Sequence, residues 1–313
     1  MRAYAVVGPE RGEVVQLPDP QPSANQALVR VISNGVCASD LSTWSRPQDG
    51  YPIYLGHEPV GHVVATGLGL DVPVGTIVTG RIAASFAELA LGDAADLVVV
   101  PEGLDPAYVL GEPLGCVAEA FRRTPVQLGD RVAVVGVGFM GLVMLQLLSR
   151  SPQAALVAVD PREDARAAAL AHGADTALDP GEIPAPYRVD AFDSDGSEAF
   201  DVVVEATGSQ EGLSLAAALV RPHGSLTVLG YHRGDRVVDM GLWNWKAMDV
   251  VSGHVRDAAL LRRSTESGLR MLASGRIDLS GLVTHTFSLS QVDEAFRVLR
   301  EKPEGFIKSV IIL

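Results

Sequence analysis

Three stretches of the 313-residue chain gather side chains able to bind a metal or move a proton. NGVCASDLSTW holds Cys37, Ser39 and Asp40, YLGHEPVGHVVATG sets His57 beside Glu58, and LGEPLGCV carries Glu112 and Cys116. Thiol, imidazole and carboxylate are zinc's preferred donors, and a catalytic zinc needs three protein ligands plus an open position. Long spacing between such ligands suits a catalytic site but is less diagnostic than paired CxxC motifs. Each residue alone also admits a structural reading: Cys37 as a small buried hydrophobe, His57 as a hydrogen-bonded core histidine, Glu58 as a solvated edge charge, Glu112 as a helix-start acid beside Pro113. The joint occurrence is harder to explain that way, because a buried His-Glu pair is costly unless bonded or coordinated. His62 lies five residues beyond His57, an odd offset along a strand that points it to the opposite face and out of the site.

A second constellation is GVGFMG, with Gly136, Gly138 and Gly141 spaced G-x-G-x-x-G around Phe139 and Met140. The bare pattern is weak. Its context is stronger: it follows an apolar strand, opens a helix and precedes a second strand ending in Asp160. Gly136 allows the tight turn, Gly138 lets backbone approach a pyrophosphate, and Gly141 lets the helix pack closely. The helix N-terminus offers free N–H groups to phosphate. Asp160 would bond the adenosine ribose hydroxyls and repel a 2′-phosphate, favouring NAD over NADP, although Arg162 blurs that preference. The alternatives are a ligand-free glycine turn and, for Asp160, a helix-capping acid.

These residues need elements to position them. About the first hundred residues alternate short apolar runs with Gly and Pro, the pattern of an irregular, mostly antiparallel β domain. Cys37, Ser39 and Asp40 would occupy a turn after the strand ALVRVIS. From about Leu128, strand and helix alternate as βαβ units on a parallel sheet. After about Val255 the pattern loosens into a helix at TESGLRMLASG, a strand at VTHTFSL, a helix opened by Ser290 with Asp293 at the capping-box position, and a closing strand KSVIIL. The fold class is α/β, a doubly wound parallel-sheet domain inserted in a β-rich domain.

Composition excludes several functions. Lys+Arg 25 against Asp+Glu 38 leaves a net charge of −13 with no basic cluster, arguing against nucleic acid. The apolar run Val132–Leu148 is too short and too interrupted by glycine to span a membrane, and the apolar run at the N-terminus, short and followed by charges, is not expected to act as an export signal. Two cysteines are too few for a disulfide framework, so a reducing cytoplasm is expected.

Taken together, GVCASD, GHEPVGHVVATG, EPLGC, GVGFMG, DVVVEATG, GHVRD and the C-terminal LASGRIDLSGLVTHTFSLSQVDEAFRVL resemble the zinc-dependent medium-chain dehydrogenases, most of all their polyol (sorbitol-type) branch. The resemblance covers nearly the whole chain. It implies a GroES-like catalytic domain over 1–116 and 255–313 around a Rossmann domain over 117–254. It also implies zinc ligands at Cys37 and His57, with Glu58 as a ligand or a mobile carboxylate and Glu112 near the metal, so that either Glu58 or Glu112 would complete the shell. Ser39 matches the hydroxyl that passes the substrate proton outward, and Asp40 the acid orienting the histidine ligand. Leu229, Gly230, Tyr231, His254 and Val255 fall where family members line the nicotinamide. Thr43, Trp44, Glu112 and Arg256 fall at substrate-lining positions. Departures matter too. Ser42 stands where many members end the proton relay with histidine, Thr43 replaces a pocket tyrosine, and Ala165 replaces an adenosine-side cation that Arg162 or Arg166 would have to supply.

The activity implied is hydride transfer between NAD and a secondary alcohol or ketone, with a polyol or cyclitol as substrate and a homodimer, or a tetramer, as the assembly. Two rivals are a zinc-free NADPH-dependent quinone or enone reductase of the same superfamily and a catalytically silent nucleotide-binding protein. The family's structural-zinc lobe, a cluster of four cysteines, is missing between Ile77 and Pro101. Metal analysis of protein purified without chelator should therefore find about one zinc per chain, and about two would contradict the reading.

Overall fold

The computed structural model describes residues 1–46 and 48–313. The chain divides into two compact units, Met1–Cys116 with Arg256–Leu313, and Val117–Val255. The second boundary thus falls one residue later than the domain limit expected after residue 254.

The first unit opens with β1 (Arg2–Gly8), β2 (Arg11–Gln16), β3 (Gln26–Gly35), α1 (Ala38–Ser45), β4 (Ile53–Tyr54) and β5 (Pro59–Thr66). β6 (Ile77–Gly80), β7 (Leu89–Asp93) and β8 (Leu97–Val99) follow, then α2 (Gly111–Arg123). In the second unit, β9 (Arg131–Val135), α3 (Phe139–Leu148), β10 (Ala155–Val159), α4 (Glu163–Ala171) and β11 (Thr176–Leu178) form one half. β12 (Phe200–Glu205), α5 (Gln210–Leu219), β13 (Val220–Val228), α6 (Met240–Lys246) and β14 (Asp249–Ser252) form the other. The first unit resumes with α7 (Ala258–Ala273), β15 (Val283–Ser288), α8 (Val292–Glu301) and β16 (Lys308–Ile312).

In the first unit a sheet runs β15-β16-β3-β5-β6-β8, with β7 also paired to β3, beside a small sheet β2-β1-β4. The ten-residue β3 is the spine. Its alternate residues Ala27, Val29 and Val31 bury against Val63, Val78 and Ala90. Register then builds the site: β5 pairs Asn34 with Pro59, and β16 pairs Gly35 with Val310. Glu58 and Lys308 therefore arrive on either side of the end of β3. Between β3 and β5, Cys37 caps α1, so Ser39 and Asp40 lie in the first turn of a helix rather than in the expected turn.

α7 begins at Ala258, earlier than TESG suggested, because the Asp257 side chain accepts from the Leu260 amide and caps it. α8 also differs from expectation. The capping box belongs to Ser288 and Gln291 in the 3-10 turn before it, whereas Asp293 points inward. Asp293 accepts hydrogen bonds from Tyr4 Oη at 2.5 Å, Trp44 Nε1 at 2.7 Å and the Gly12 amide at 3.1 Å. Its carboxylate ties β1, β2 and α1 to α8, and the Trp44 ring stacks on Phe296 with centroids 5.3 Å apart.

The second unit is one parallel sheet ordered β11-β10-β9-β12-β13-β14. That order is the doubly wound dinucleotide-binding arrangement. The inner strands β9 (RVAVV) and β10 (ALVAV) read as nearly continuous apolar runs and are buried, as expected of the middle of a parallel sheet. Behind the sheet, fully buried Lys246 donates from Nζ to the Ala217 carbonyl at 2.6 Å, at the C-terminal end of α5 where a cation complements the helix dipole. Burial pulls its pKa down from 10.5 to about 8. Between those values the unfolded chain holds a proton that the folded chain has released, so stability rises with pH across that window. The stability of the wild type relative to Lys246→Met should therefore grow between about pH 8 and pH 10.5, by about 3 kcal/mol when complete. Thermal or denaturant midpoints measure it, and a gap that does not change with pH contradicts the assignment.

Candidate active site

Cys37, His57 and Glu58 each present one donor atom, and the three atoms lie within 4.8 Å of one another. Among the described residues this is the one such cluster of three. His57 and Glu58 follow Gly56, whose φ of +91° turns the chain into β5 and whose missing side chain lets Phe86 pack against it. Gly35 is equally specific: a Cβ there would come within 1.9 Å of Glu58 Oε2. The carboxylate occupies the space that this glycine leaves.

His57 is oriented from behind. Its Nδ1 lies 3.2 Å from Asp40 Oδ2, an atom that also accepts the Gly56 amide at 3.1 Å. Nε2 then faces the cluster, 3.4 Å from Ser39 Oγ, which is itself 3.3 Å from Cys37 Sγ. Burial opposes charge on the ring, yet the Asp40 and Cys37 interactions outweigh it and push the His57 pKa up to about 12. Thiol, imidazole and carboxylate so placed fit a zinc site with Asp40 holding the histidine in its ligating orientation.

Glu58 is 1% exposed and has its own partner, Lys308 Nζ at 2.6 Å from Oε2. The same Nζ donates to the Val36 carbonyl at 3.0 Å. Burial alone would raise the Glu58 pKa, but the Lys308 charge holds it below the usual carboxylate value. Burial likewise opposes the Lys308 charge, and Glu58 reverses the direction. Asn34 completes the setting, accepting the Glu58 amide at 3.1 Å through Oδ1 and donating to Ser85 Oγ at 2.6 Å. Glu112, on the first turn of α2, lies outside the three-donor cluster and accepts from Cys116 Sγ at 3.5 Å. Burial and then the Glu58 charge raise its pKa, and burial with Glu112 raises that of Cys116.

Sequence reasoning missed Lys308 and Asn34. A lysine inside IKSVIIL, where neighbouring residues are apolar, was the available signal. Trp44 requires a correction: its side chain is 0% exposed and bound to Asp293 and Phe296, so it belongs to the core and cannot line a substrate pocket. The α1 helix turns Trp44 inward and leaves Thr43 partly exposed. Ser42 Oγ donates to the Ser39 carbonyl at 3.3 Å. Arg256 is exposed, and so is His62, which contacts the Gly75 carbonyl on the face away from the cluster.

In the second unit the GVGFMG turn joins β9 to α3. Gly136 has φ +89°, Gly138 is the helix N-cap with open space where a Cβ would stand, and a Cβ on Gly141 would meet the Gly136 carbonyl at 2.0 Å. Phe139 and Met140 form the first turn of α3. Asp160 lies beside this loop, accepting the Val137 amide through Oδ2 and the Arg162 amide through Oδ1, each at 3.0 Å. Arg162 Nε is 3.5 Å from Asp160 Oδ1, and Arg166 is bonded to the Asp160 carbonyl at 2.8 Å and to Asp179 at 3.1 Å. After β13, Leu229 is buried and Tyr231 exposed, its ring 5.3 Å from that of His254, while Val255 is buried. Leu229 and Gly230 donate their amides to the Glu205 carbonyl at 2.8 and 2.9 Å.

Comparison with known proteins matches residues 23–119 to the alcohol dehydrogenase GroES-like domain and residues 136–267 to the zinc-binding dehydrogenase domain. L-threonine 3-dehydrogenase of Pyrococcus abyssi is 27% identical over 94% of this chain and 93% of its own. Sorbitol dehydrogenase of Halalkalibacterium halodurans is 25% identical over 92% of each. Two solved structures share the fold: a zinc-binding dehydrogenase of Sinorhizobium meliloti 1021 bound to NADP (20% identity, TM-score 0.86, 100% and 99% coverage) and an alcohol dehydrogenase of Escherichia coli CFT073 complexed with NADH (21%, 0.86, 100% and 99%). Because the two domain matches together take in most of the chain and the relatives align from end to end, the chain belongs to the zinc-type medium-chain dehydrogenases.

Proposed function

We propose that this dehydrogenase moves hydride between NAD and a secondary alcohol or the corresponding ketone, using one zinc per chain held by Cys37, His57 and Glu58. The observation that carries the reading is the three-donor cluster, half-buried at Cys37 and His57 and buried at Glu58, with Asp40 behind His57. A zinc-free enone reductase or a silent nucleotide-binding protein has no need of such a cluster. Bound zinc would supply Lewis acidity that lowers the pKa of an alcohol, and NAD the acceptor for its hydride. The protein's own residues orient and carry the proton. Ser39 Oγ, within 3.5 Å of both the thiol and the imidazole, is placed to take the alcohol proton. Asp40 keeps His57 Nε2 turned toward the cluster. Lys308, by pairing with one oxygen of Glu58, leaves the other available to a ligand and balances the negative charge of the donor set. Cys37 and His57 are permanent ligands in this reading, and Glu112 serves as a nearby carboxylate rather than a member of the shell.

NAD rather than NADP is supported by Asp160, whose carboxylate borders the glycine loop and would repel a 2′-phosphate. The neighbouring Arg162 and Arg166 are engaged with Asp160 and Asp179. A hydroxyl-rich substrate, polyol or cyclitol, is supported by the sorbitol dehydrogenase likeness and by Glu112 as an acceptor for hydroxyls. The threonine dehydrogenase likeness extends the class to other polar secondary alcohols. Leu229, Gly230, Tyr231, His254 and Val255 are proposed for the nicotinamide side, Thr43 and Arg256 for the substrate side. The assembly proposed is a homodimer or tetramer in the cytoplasm, built through the free edge of β14, near which Val250 is 46% and Trp245 47% exposed.

Two measurements decide. A panel of polyols, cyclitols and L-threonine assayed with NAD and NADP should give alcohol-dependent NADH formation, with Asp160→Ala raising KM for NAD on the order of tenfold. Activity confined to NADPH and enones would sink the proposal. Cys37→Ser should lose zinc and cut kcat/KM by at least about a hundredfold. Retention of both by a folded variant would remove Cys37 from the shell.

A further inference from the structure

The strand order of the second unit reverses between β9 and β12. In open parallel sheets the ligand lies outside the carboxyl ends of the strands at that point, one mononucleotide to each half. Asp160, at the end of β10, takes the adenosine side. The other half of a dinucleotide then falls to the loops that follow β12 and β13.

Those two loops are joined by one buried carboxylate. Glu205, the last residue of β12, is 0% exposed. Its Oε1 accepts from the Thr207 amide and hydroxyl, each at 2.6 Å, and from the Gly208 amide at 2.8 Å. Its Oε2 lies 2.8 Å from His232 Nε2, across from the loop after β13. On the far side of the ring, Arg236 Nε donates to His232 Nδ1 at 3.0 Å. An arginine does not give up that proton, so Nδ1 accepts, the ring's proton sits on Nε2, and it is donated to Glu205. Arg236 Nη2 then returns to the Gly208 carbonyl at 2.9 Å. The result is a closed ring, Glu205 to His232 to Arg236 to Gly208 and back, with the backbones in contact inside it. A Cβ on Gly208 would meet the Tyr231 carbonyl at 2.7 Å, and one on Gly230 would meet Glu205 Oε2 at 2.6 Å. The same assembly reaches the phosphate loop, since a Cβ on Gly136 would come within 2.6 Å of Thr207 Cγ2.

We propose that His232 is a positioning residue for the nicotinamide half of the cofactor: by linking Glu205 to Arg236 it holds the Thr207–Gly208 and Leu229–Tyr231 backbones as one preformed cradle. The inference rests on the dinucleotide reading above. It predicts a split between the two halves of the ligand, because a loosened cradle weakens contact with the nicotinamide half and leaves the β9–β11 side intact.

The test measures direct binding rather than turnover. NADH binding to the full-length protein is followed by fluorescence titration and AMP binding by calorimetry, in the wild type, His232→Leu, His232→Gln and Arg236→Met. His232→Leu should raise the Kd for NADH by about tenfold or more and leave that for AMP within about twofold. His232→Gln, which can still donate toward Glu205, should recover most of the loss. Arg236→Met, which breaks the ring from its outer side, should weaken NADH several-fold without weakening AMP, and it stands as the test if the leucine variant does not fold. Wild-type affinity for NADH in the leucine and methionine variants, or equal weakening of NADH and AMP, overturns the proposal while leaving the oxidoreductase reading in place. A wild type that binds neither NADH nor NADPH overturns both.

Discussion

A carboxylate buried beside a half-buried imidazole must find compensating charge at hydrogen-bond distance, because the penalty for an unpaired buried ion is several kcal/mol. Glu58 finds Lys308 on β16, and His57 finds Asp40 on α1. These partners come from segments far apart in sequence, so the site forms only when β3, β5 and β16 adopt one register. A slip of a single residue would send Lys308 or Glu58 to the opposite face. Fold and site are thus one requirement in the first unit. The sheet that buries Val29, Val63 and Val78 also brings together the charges that make the burial of Glu58 tolerable.

The second unit answers a similar problem in a similar way. Glu205 ends the parallel strand β12, Glu58 immediately precedes the antiparallel strand β5, and each carboxylate packs against a glycine across the chain, Gly230 and Gly35 respectively. In both places the missing side chain makes room for the charge, and a basic residue on another segment sits against one oxygen. The consequence is rigidity where a ligand would bind. Donor atoms held by a hydrogen-bonded surround need little rearrangement on binding, the physical basis of preorganisation.

Much of this was legible from one sequence. The G-x-G-x-x-G turn between a strand and a helix, followed by Asp160, needs only local chemistry. Period and punctuation separated the β-rich part from the βαβ part. His62 is exposed on β5 as expected, although His57 precedes that strand and strand parity does not relate the two. Other residues were misread because their roles depend on partners elsewhere. Trp44 beside Thr43 looks like a pocket aromatic until α8 supplies Asp293 and Phe296 to bury it. Asp293 reads as a capping residue by its offset from Ser290, but Tyr4, Gly12 and Trp44 draw its carboxylate inward.

Residue types, their order and the local turns therefore determined the family, the two-part α/β architecture and the set of donors available for a metal. Tertiary structure decided which donors meet. It placed Glu58 rather than Glu112 with Cys37 and His57, introduced Lys308 and Asn34 that no motif had marked, and joined Glu205 to His232 and His232 to Arg236. The physical reason is that a turn or a strand period is set by neighbouring residues, whereas the neutralisation of a buried charge is set by whatever side chain the sheet register delivers to it.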